Sequence, residues 1–193
     1  MISTRWWWVR HAPSLGPSGI IHGQDDIDAN LSDQAALDAC RITLPKKAVW
    51  LNSGLPRTIQ TAEALGGHNC REVSGLMEQN FGEWNGRSWS DIRGDEAQEF
   101  WKNFVTQAPP GGESFICMVD RISNTISELS IEYEGHDIVA VGHSGTIRSA
   151  LAMALNLFAK SALTFHINNL SLTQIESISD GEDIAWSVHG VNR

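Results

Sequence analysis

Short apolar runs alternate with stretches of helical period along this chain, and that alternation restricts the fold more than any other feature. Trp6 to Val9 is an apolar run close to the start and reads as a buried strand. Pro13, Gly16-Pro17 and Gly23 punctuate residues 12–31, which read as loop. Ser32 is placed to cap a helix running to about residue 42, ahead of Pro45. Ala48 to Leu51 is a second short strand. Leu55, Ile59 and Ala62 recur at helical spacing until Gly66-Gly67 stops the helix. Phe115, Val119, Ile122, Ile126 and Leu129 form one face of a long amphipathic helix that Gly135 ends. Ile138 to Val141 is the most strand-like run, and Ile147, Leu151, Ala154 and Phe158 follow at helical spacing. The tail carries expected strands near 163–167, 171–178 and 184–189.

Strands alternating with helices argue for an α/β fold, a three-layer α/β/α sandwich with a largely parallel central sheet. The 193 residues fit a single domain, 1–193, with an irregular helical insert near 76–112 that ends in Pro109-Pro110-Gly111-Gly112. A hydrophobic content of 41% suffices for a sizeable core. The net charge of −9 argues against nucleic acid as partner, because phosphate contacts need an excess of Lys and Arg. It leaves room for a small anionic substrate, since screening over about 8 Å lets a local Arg cluster set the field of a pocket. No run approaches the ~20 apolar residues of a membrane span, and the start has no signal-peptide core. Cys40, Cys70 and Cys117 have no metal-pair spacing and read as buried free thiols of a cytoplasmic protein. The cysteines give no pointer to a metal, and the oligomeric state is not legible.

In α/β sheets, ligands bind beyond the carboxyl ends of the strands. Arg10-His11 follows the first strand, Asn52 to Thr58 with Arg57 follows the second, and Gly142-His143-Ser144-Gly145 follows the strongest. Singly, each residue has an ordinary structural or surface reading. Together, two Arg and two His meet at one sheet edge. That set suits a phosphoryl group. Guanidiniums are always charged and match phosphate oxygens with planar forks. A neutral imidazole can attack phosphorus and carry the phosphoryl group, and neighbouring Arg charges help keep it neutral. A second His, if protonated, would donate to the equatorial oxygens. The helix after Gly145 would aim backbone N–H groups at the anion. A leaving alcohol needs a general acid, and the segment from Leu76 to Gly86 offers Glu78 and Glu83. The residue pattern alone does not choose between them.

Five stretches in order resemble the histidine phosphatase superfamily, the phosphoglycerate mutase-like phosphatases. They are Val9-Arg10-His11-Ala12-Pro13-Ser14; Ser53 to Ala62, of pattern Ser-x-x-x-Arg-x-x-x-Thr-Ala; Leu76 to Gly86, of pattern Leu-x-Glu-x-x-x-Gly-x-Trp-x-Gly; Pro110-Gly111-Gly112-Glu113-Ser114; and Val141-Gly142-His143-Ser144-Gly145 followed by Arg148. The resemblance implies a phosphoglycerate mutase-like fold, His11 as nucleophile, Glu78 as proton donor, and Arg10, Arg57 and His143 on the phosphoryl group. Ser144, Ser14 and Gly23 are further expected phosphate contacts. No metal or organic cofactor is implied. Two positions depart from the pattern: Ala12 stands where Gly is commonest, and Pro17 where many members have Asn. The short insert favours a phosphomonoesterase for a small phosphorylated metabolite over a mutase, and the pattern is similar to phosphatases of the α-ribazole type.

Two rival classes follow from the same residues. Gly142-His143-Ser144-Gly145-Thr146 nearly makes the Gly-x-Ser-x-Gly elbow of a serine hydrolase, with Asp183 and His189 in the right chain order. Thr146 breaks that motif, and Arg10-His11 and Arg57 are left without a role. A phosphate-binding module without turnover would not need both nucleophile and acid. Among the eight tryptophans, most read as core, while Trp84 and Trp89 are candidates to line the mouth of the pocket. His22 is the remaining His nearest the expected site.

Overall fold

The computed structural model describes residues 1–181 and 183–193, the side chain of residue 96 excepted. Six strands form one sheet: β1 (Ile2–Arg10), β2 (Val49–Asn52), β3 (Arg71–Glu72), β4 (Asp137–Gly142), β5 (Leu172–Ser179) and β6 (Ile184–Gly190), in the order β3-β2-β4-β1-β5-β6. The helices are α1 (Gln34–Thr43), α2 (Pro56–Leu65), α3 (Asp95–Lys102), α4 (Phe115–Glu132), α5 (Ser144–Ala154) and α6 (Ala159–Ala162). The four strands β3, β2, β4 and β1 run parallel, whereas β5 and β6 are antiparallel additions. The sheet is therefore mixed. The parallel part is the part that helices connect; β5 and β6 follow each other directly and pair as a hairpin does.

The two faces of β1 divide the core. Trp6 and Trp8 are fully buried and stack at 5.0 Å between ring centroids, on the face covered by α4 and α5 with Met118, Ile122, Ile147 and Leu151. Val9 points the other way and packs with Leu37 and Cys40 of α1 and Ala62 and Leu65 of α2. Alternation along one strand thus feeds both layers. A third cluster lies in the insert, where Trp84 meets the ring of Phe100 edge-on at 4.8 Å beside Ile21 and Ile92.

Several boundaries differ from expectation. Asp33, rather than Ser32, caps α1 by accepting from the Ala36 N–H. Phe158 lies beyond α5 and is exposed. The insert has one true helix, α3, among 3₁₀ turns. Residues 163–167 form no strand. The carbonyl of Phe165 accepts from Arg148 and that of Ile167 from Arg10, so this segment serves two cations instead of a ladder. Cys40 is buried, but Cys70 is half-buried and Cys117 exposed. Trp84 is core and does not line the cavity that holds His11. Among the described residues no helix is long and apolar enough to cross a membrane.

Candidate active site

The parallel register sets the site. Arg10 at the end of β1 lies opposite Gly142 at the end of β4. The next residue of each chain, His11 and His143, therefore leaves the sheet side by side, with ring centroids 5.1 Å apart. Asn52 pairs with Val141 on the neighbouring strand, which brings Ser53 to within 2.8 Å of His143 Nε2.

His11 Nδ1 lies 2.6 Å from the Ala12 carbonyl. A carbonyl only accepts, so Nδ1 carries the proton and Nε2 keeps its lone pair. Burial, and after it the Arg57 charge, pushes the His11 pKa down to about 3. Burial likewise holds His143 well below the ordinary range, with His11, Arg57 and Arg10 adding to the effect. Burial and the neighbouring cations thus favour the neutral form of both rings. His143 Nδ1 is buried without a hydrogen-bond partner among the described residues. Ala12 is fully buried, and its N–H donates to the Thr61 hydroxyl at 3.0 Å. Pro17 sits exposed on the loop.

The two arginines are held by carbonyls. Arg57, at the start of α2, donates to the Gly23 and Asp25 carbonyls at 2.6 and 2.9 Å. Arg10 donates to Ile167 at 2.7 Å, and its Nε is buried without a partner among the described residues. Each η nitrogen carries two hydrogens, so anchoring leaves donors free for an anion.

Glu78 reaches the same centre from the insert. Its Oε2 accepts from the Gly145 N–H at 3.2 Å and its Oε1 from Gln79 at 3.1 Å. Its charge acts on Arg10, Arg57 and Arg148. The segment that carries it is braced by Arg121 of α4, which donates to the carbonyls of Gly75 and Met77 at 2.9 and 3.1 Å and pairs with Glu113 at 2.5 Å. Glu113 in turn accepts from the Asn80 N–H at 3.0 Å. Gly82, with φ of 53°, seats its backbone against Pro110, where a Cβ would meet the carbonyl at 2.1 Å. Glu83 is exposed. Of the two candidate acids, the fold brings Glu78 alone to the histidines.

These groups open into a cavity of about 400 Å3 lined by Arg10, His11, Arg57, Glu78, Ser14, Gly23 and Ser144. Of the sequence-predicted set all but His143 line this cavity, with the Gly23 carbonyl spent on Arg57; His143 is fully buried, its ring 5.1 Å from that of His11. His22 and Trp89 also line the cavity. Phe81, Phe104 and Arg148 do so as well; the sequence reading assigned them no role, although Arg148 closes the fifth motif. The serine-hydrolase relay is not formed: His189 Nε2 bonds Glu176 at 2.7 Å on the outer strands, and the Asp183 N–H bonds Asp180. Among the described residues no cluster of three or more His, Cys, Asp or Glu is arranged to hold a metal ion.

A family model described as histidine phosphatase superfamily (branch 1) matches residues 6–189. The chain belongs to this superfamily. Among its relatives, a bifunctional protein of Mycobacterium tuberculosis is 31% identical over 151 residues, 76% of this chain; this chain spans about 41% of that protein's length. The glucosyl-3-phosphoglycerate phosphatase of M. tuberculosis is 30% identical over 197 residues, covering 86% of this chain and 88% of the relative. A solved structure of the mycobacterial enzyme of that name overlays with a TM-score of 0.84 at 25% identity, over 98% of this chain and 99% of the other. A putative α-ribazole-5'-phosphate phosphatase of Escherichia coli overlays at 0.86 with 19% identity, over 98% and 96%, a likeness of fold. As a histidine phosphatase fold, the mixed sheet with its four parallel strands and flanking helices is as the motifs implied.

Proposed function

We propose that this histidine phosphatase is a metal-independent phosphomonoesterase that hydrolyses a small phosphorylated metabolite through a phosphohistidine on His11. The observation that carries the reading is the His11 imidazole: buried, neutral, with Nδ1 occupied by the Ala12 carbonyl and Nε2 free beside two guanidiniums. The relatives named as phosphatases support the reaction class. The chain acts as one unit, 1–193, with the insert 76–112 supplying the acid and the pocket wall. Its unpaired cysteines fit a reducing, cytoplasmic compartment.

The chemistry follows from the geometry. Arg10 and Arg57 hold the phosphoryl oxygens, Ser14 and Ser144 complete the cradle, and the Gly23 carbonyl aims Arg57. Ser53 donates to His143 Nε2, leaving the Nδ1–H to donate to a phosphoryl oxygen. His11 Nε2 attacks phosphorus, the P–O ester bond breaks, and the Glu78 carboxyl proton passes to the leaving oxygen. In the second half, Glu78 takes a proton from water, the water oxygen attacks phosphorus, the P–N bond breaks and inorganic phosphate leaves.

Hydrolysis of p-nitrophenyl phosphate in EDTA, wild type against His11→Ala, tests this reading. Turnover that resists EDTA and vanishes in the variant is expected. Turnover that survives the substitution, or that needs added metal, contradicts it.

A further inference from the structure

The carbonyl that fixes the His11 tautomer is itself held from outside the cavity. His11 Nδ1 donates to the Ala12 carbonyl, so Nε2 stays bare only while that carbonyl faces the ring. Its direction follows from the peptide that joins His11 to Ala12. Pro13 confines Ala12 to extended backbone, which ties the Ala12 carbonyl to the plane of the peptide before it. That plane is gripped at both ends. Its N–H, on Ala12, meets the Thr61 hydroxyl at 3.0 Å. Its C=O, on His11, accepts from the Asn169 side-chain amide at 2.7 Å. The pairing with β4 ends just before, with the His11 N–H on the Gly142 carbonyl at 3.0 Å, so side chains take over from the sheet.

Asn169 belongs to a strap, residues 167–171, laid along the end of β1. The Ile167 carbonyl accepts from the Arg10 guanidinium at 2.7 Å, the Leu170 N–H donates to the Arg10 carbonyl at 2.9 Å, and the Ser171 carbonyl accepts from the Arg10 N–H at 3.3 Å. Leu170 has a φ of 57°, a left-handed conformation that is costly for a residue with a side chain and persists only where its surroundings impose it. At this bend Asn169 by its side chain and Leu170 by its N–H reach the carbonyls of His11 and Arg10. Asn169 does not line the cavity that holds His11; it faces a separate cavity of about 670 Å3 with Trp7 and Cys40. Any part it has in the reaction is therefore indirect.

We infer that Asn169 is the positioning residue of the nucleophile: its amide pins the His11 carbonyl, steadies the peptide that follows, and so keeps the His11 proton on Nδ1 and the lone pair on Nε2. This rests on the phosphatase reading above. With the amide gone, the peptide is held at the Ala12 N–H alone and can tilt. The Ala12 carbonyl then leaves the ring, and the imidazole can carry its proton on either nitrogen. A neutral ring protonated at Nε2 has no lone pair there to give to phosphorus. Asn169 adds no step to the reaction; it raises the fraction of His11 able to start it.

The test compares wild type with Asn169→Ala and with Asn169→Leu, which keeps the side-chain volume and removes the donor. With p-nitrophenyl phosphate, kcat/KM should fall about tenfold to hundredfold in both variants, the range expected when a reacting group is misplaced. The inhibition constant of inorganic phosphate, which reads the Arg10 and Arg57 cradle, should stay near that of wild type. A parallel loss of phosphate affinity would show that Asn169 acts on Arg10 through the strap, and would overturn the inference. So would a wild-type kcat/KM in either variant. A spectroscopic arm needs no turnover: NMR of isotope-labelled histidine nitrogens, recorded above the ordinary titration range of histidine, with the His11 signals identified by their loss in His11→Ala. Wild type should show His11 protonated at Nδ1 and bare at Nε2, and both variants a mixture of the two tautomers. The signals of the other histidines report that each variant is folded. An unchanged tautomer in the variants, or an Nε2–H in wild type, overturns the inference whether or not the protein hydrolyses esters. Wild-type turnover of p-nitrophenyl phosphate, set against His11→Ala, reports separately on the phosphatase reading.

Discussion

Replacing Arg121 with Met keeps most of the side-chain stem and removes the guanidinium that braces Glu78. The structure gives the scale of the effect. Arg121 pairs with Glu113 at 2.5 Å, with side chains 27% and 19% exposed, and also holds the carbonyls of Gly75 and Met77. Breaking a fully buried pair costs about 3–5 kcal/mol. Water reaches this pair, so the loss should be about 2–3 kcal/mol. For a chain of this size that lowers Tm by roughly 4–12 °C. The catalytic signature separates this from simple destabilisation. General acid catalysis is worth about 10²- to 10⁴-fold, and a displaced Glu78 forfeits part of it. With the variant assayed well below its melting range, kcat/KM for an alkyl phosphate should fall about tenfold to hundredfold. The value for p-nitrophenyl phosphate, whose leaving group departs without a proton, should fall far less. Equal losses on the two substrates would refute the claim that Arg121 positions the acid.

Three further outcomes follow from particular contacts. Because the His11 pKa is lowered to about 3, the unfolded chain binds the extra proton between pH 6.5 and 3; the contribution of neutral His11 is complete above pH 6.5 and is lost as pH falls. The wild-type Tm should therefore drop through that window, and His11→Asn should flatten the drop in a calorimetric pH series. Trp84→Ala should open a cavity against Phe100 and cost about 3–5 kcal/mol, a Tm loss of roughly 6–20 °C; a loss of affinity without a change in Tm would mean that Trp84 faces the ligand after all. Gly145→Ala would place a Cβ 2.1 Å from Glu78 Oε1, so the carboxylate must swing away. That variant should melt near wild type yet lose alkyl-phosphate turnover preferentially, as measured by kcat/KM on the same substrate pair.

The parts of this molecule that were legible in its sequence are those fixed by local pattern. Trp6 to Val9 and Ile138 to Val141 are short apolar runs, and a buried parallel strand leaves just that trace. The residues that follow them carry the chemistry because strand ends are where such sheets bind ligands. Residues 163–167 misled because their apolar–polar alternation looks the same whether the carbonyls enter a ladder or, as here, hold Arg10 and Arg148. Trp84 misled because its neighbour Phe100 lies on a different element, and no periodicity links them. The Arg121–Glu113 brace depends on α4 lying against the insert, a pairing across the fold that no spacing announces. Glu78 and Glu83 could be told apart by residue chemistry only once the backbone had turned one towards Gly145 and the other to solvent.

The central claim is that His11 is phosphorylated during turnover. The most direct measurement is a rapid alkaline quench of the enzyme with an excess of p-nitrophenyl phosphate, followed by peptide mass mapping. Alkali preserves the P–N bond that acid would cleave. A phosphoryl group on the peptide containing His11, formed in the first turnover and absent from His11→Ala, is the predicted result. A steady-state turnover with no phosphopeptide, or with the phosphoryl group on another residue such as Ser144, would contradict the account.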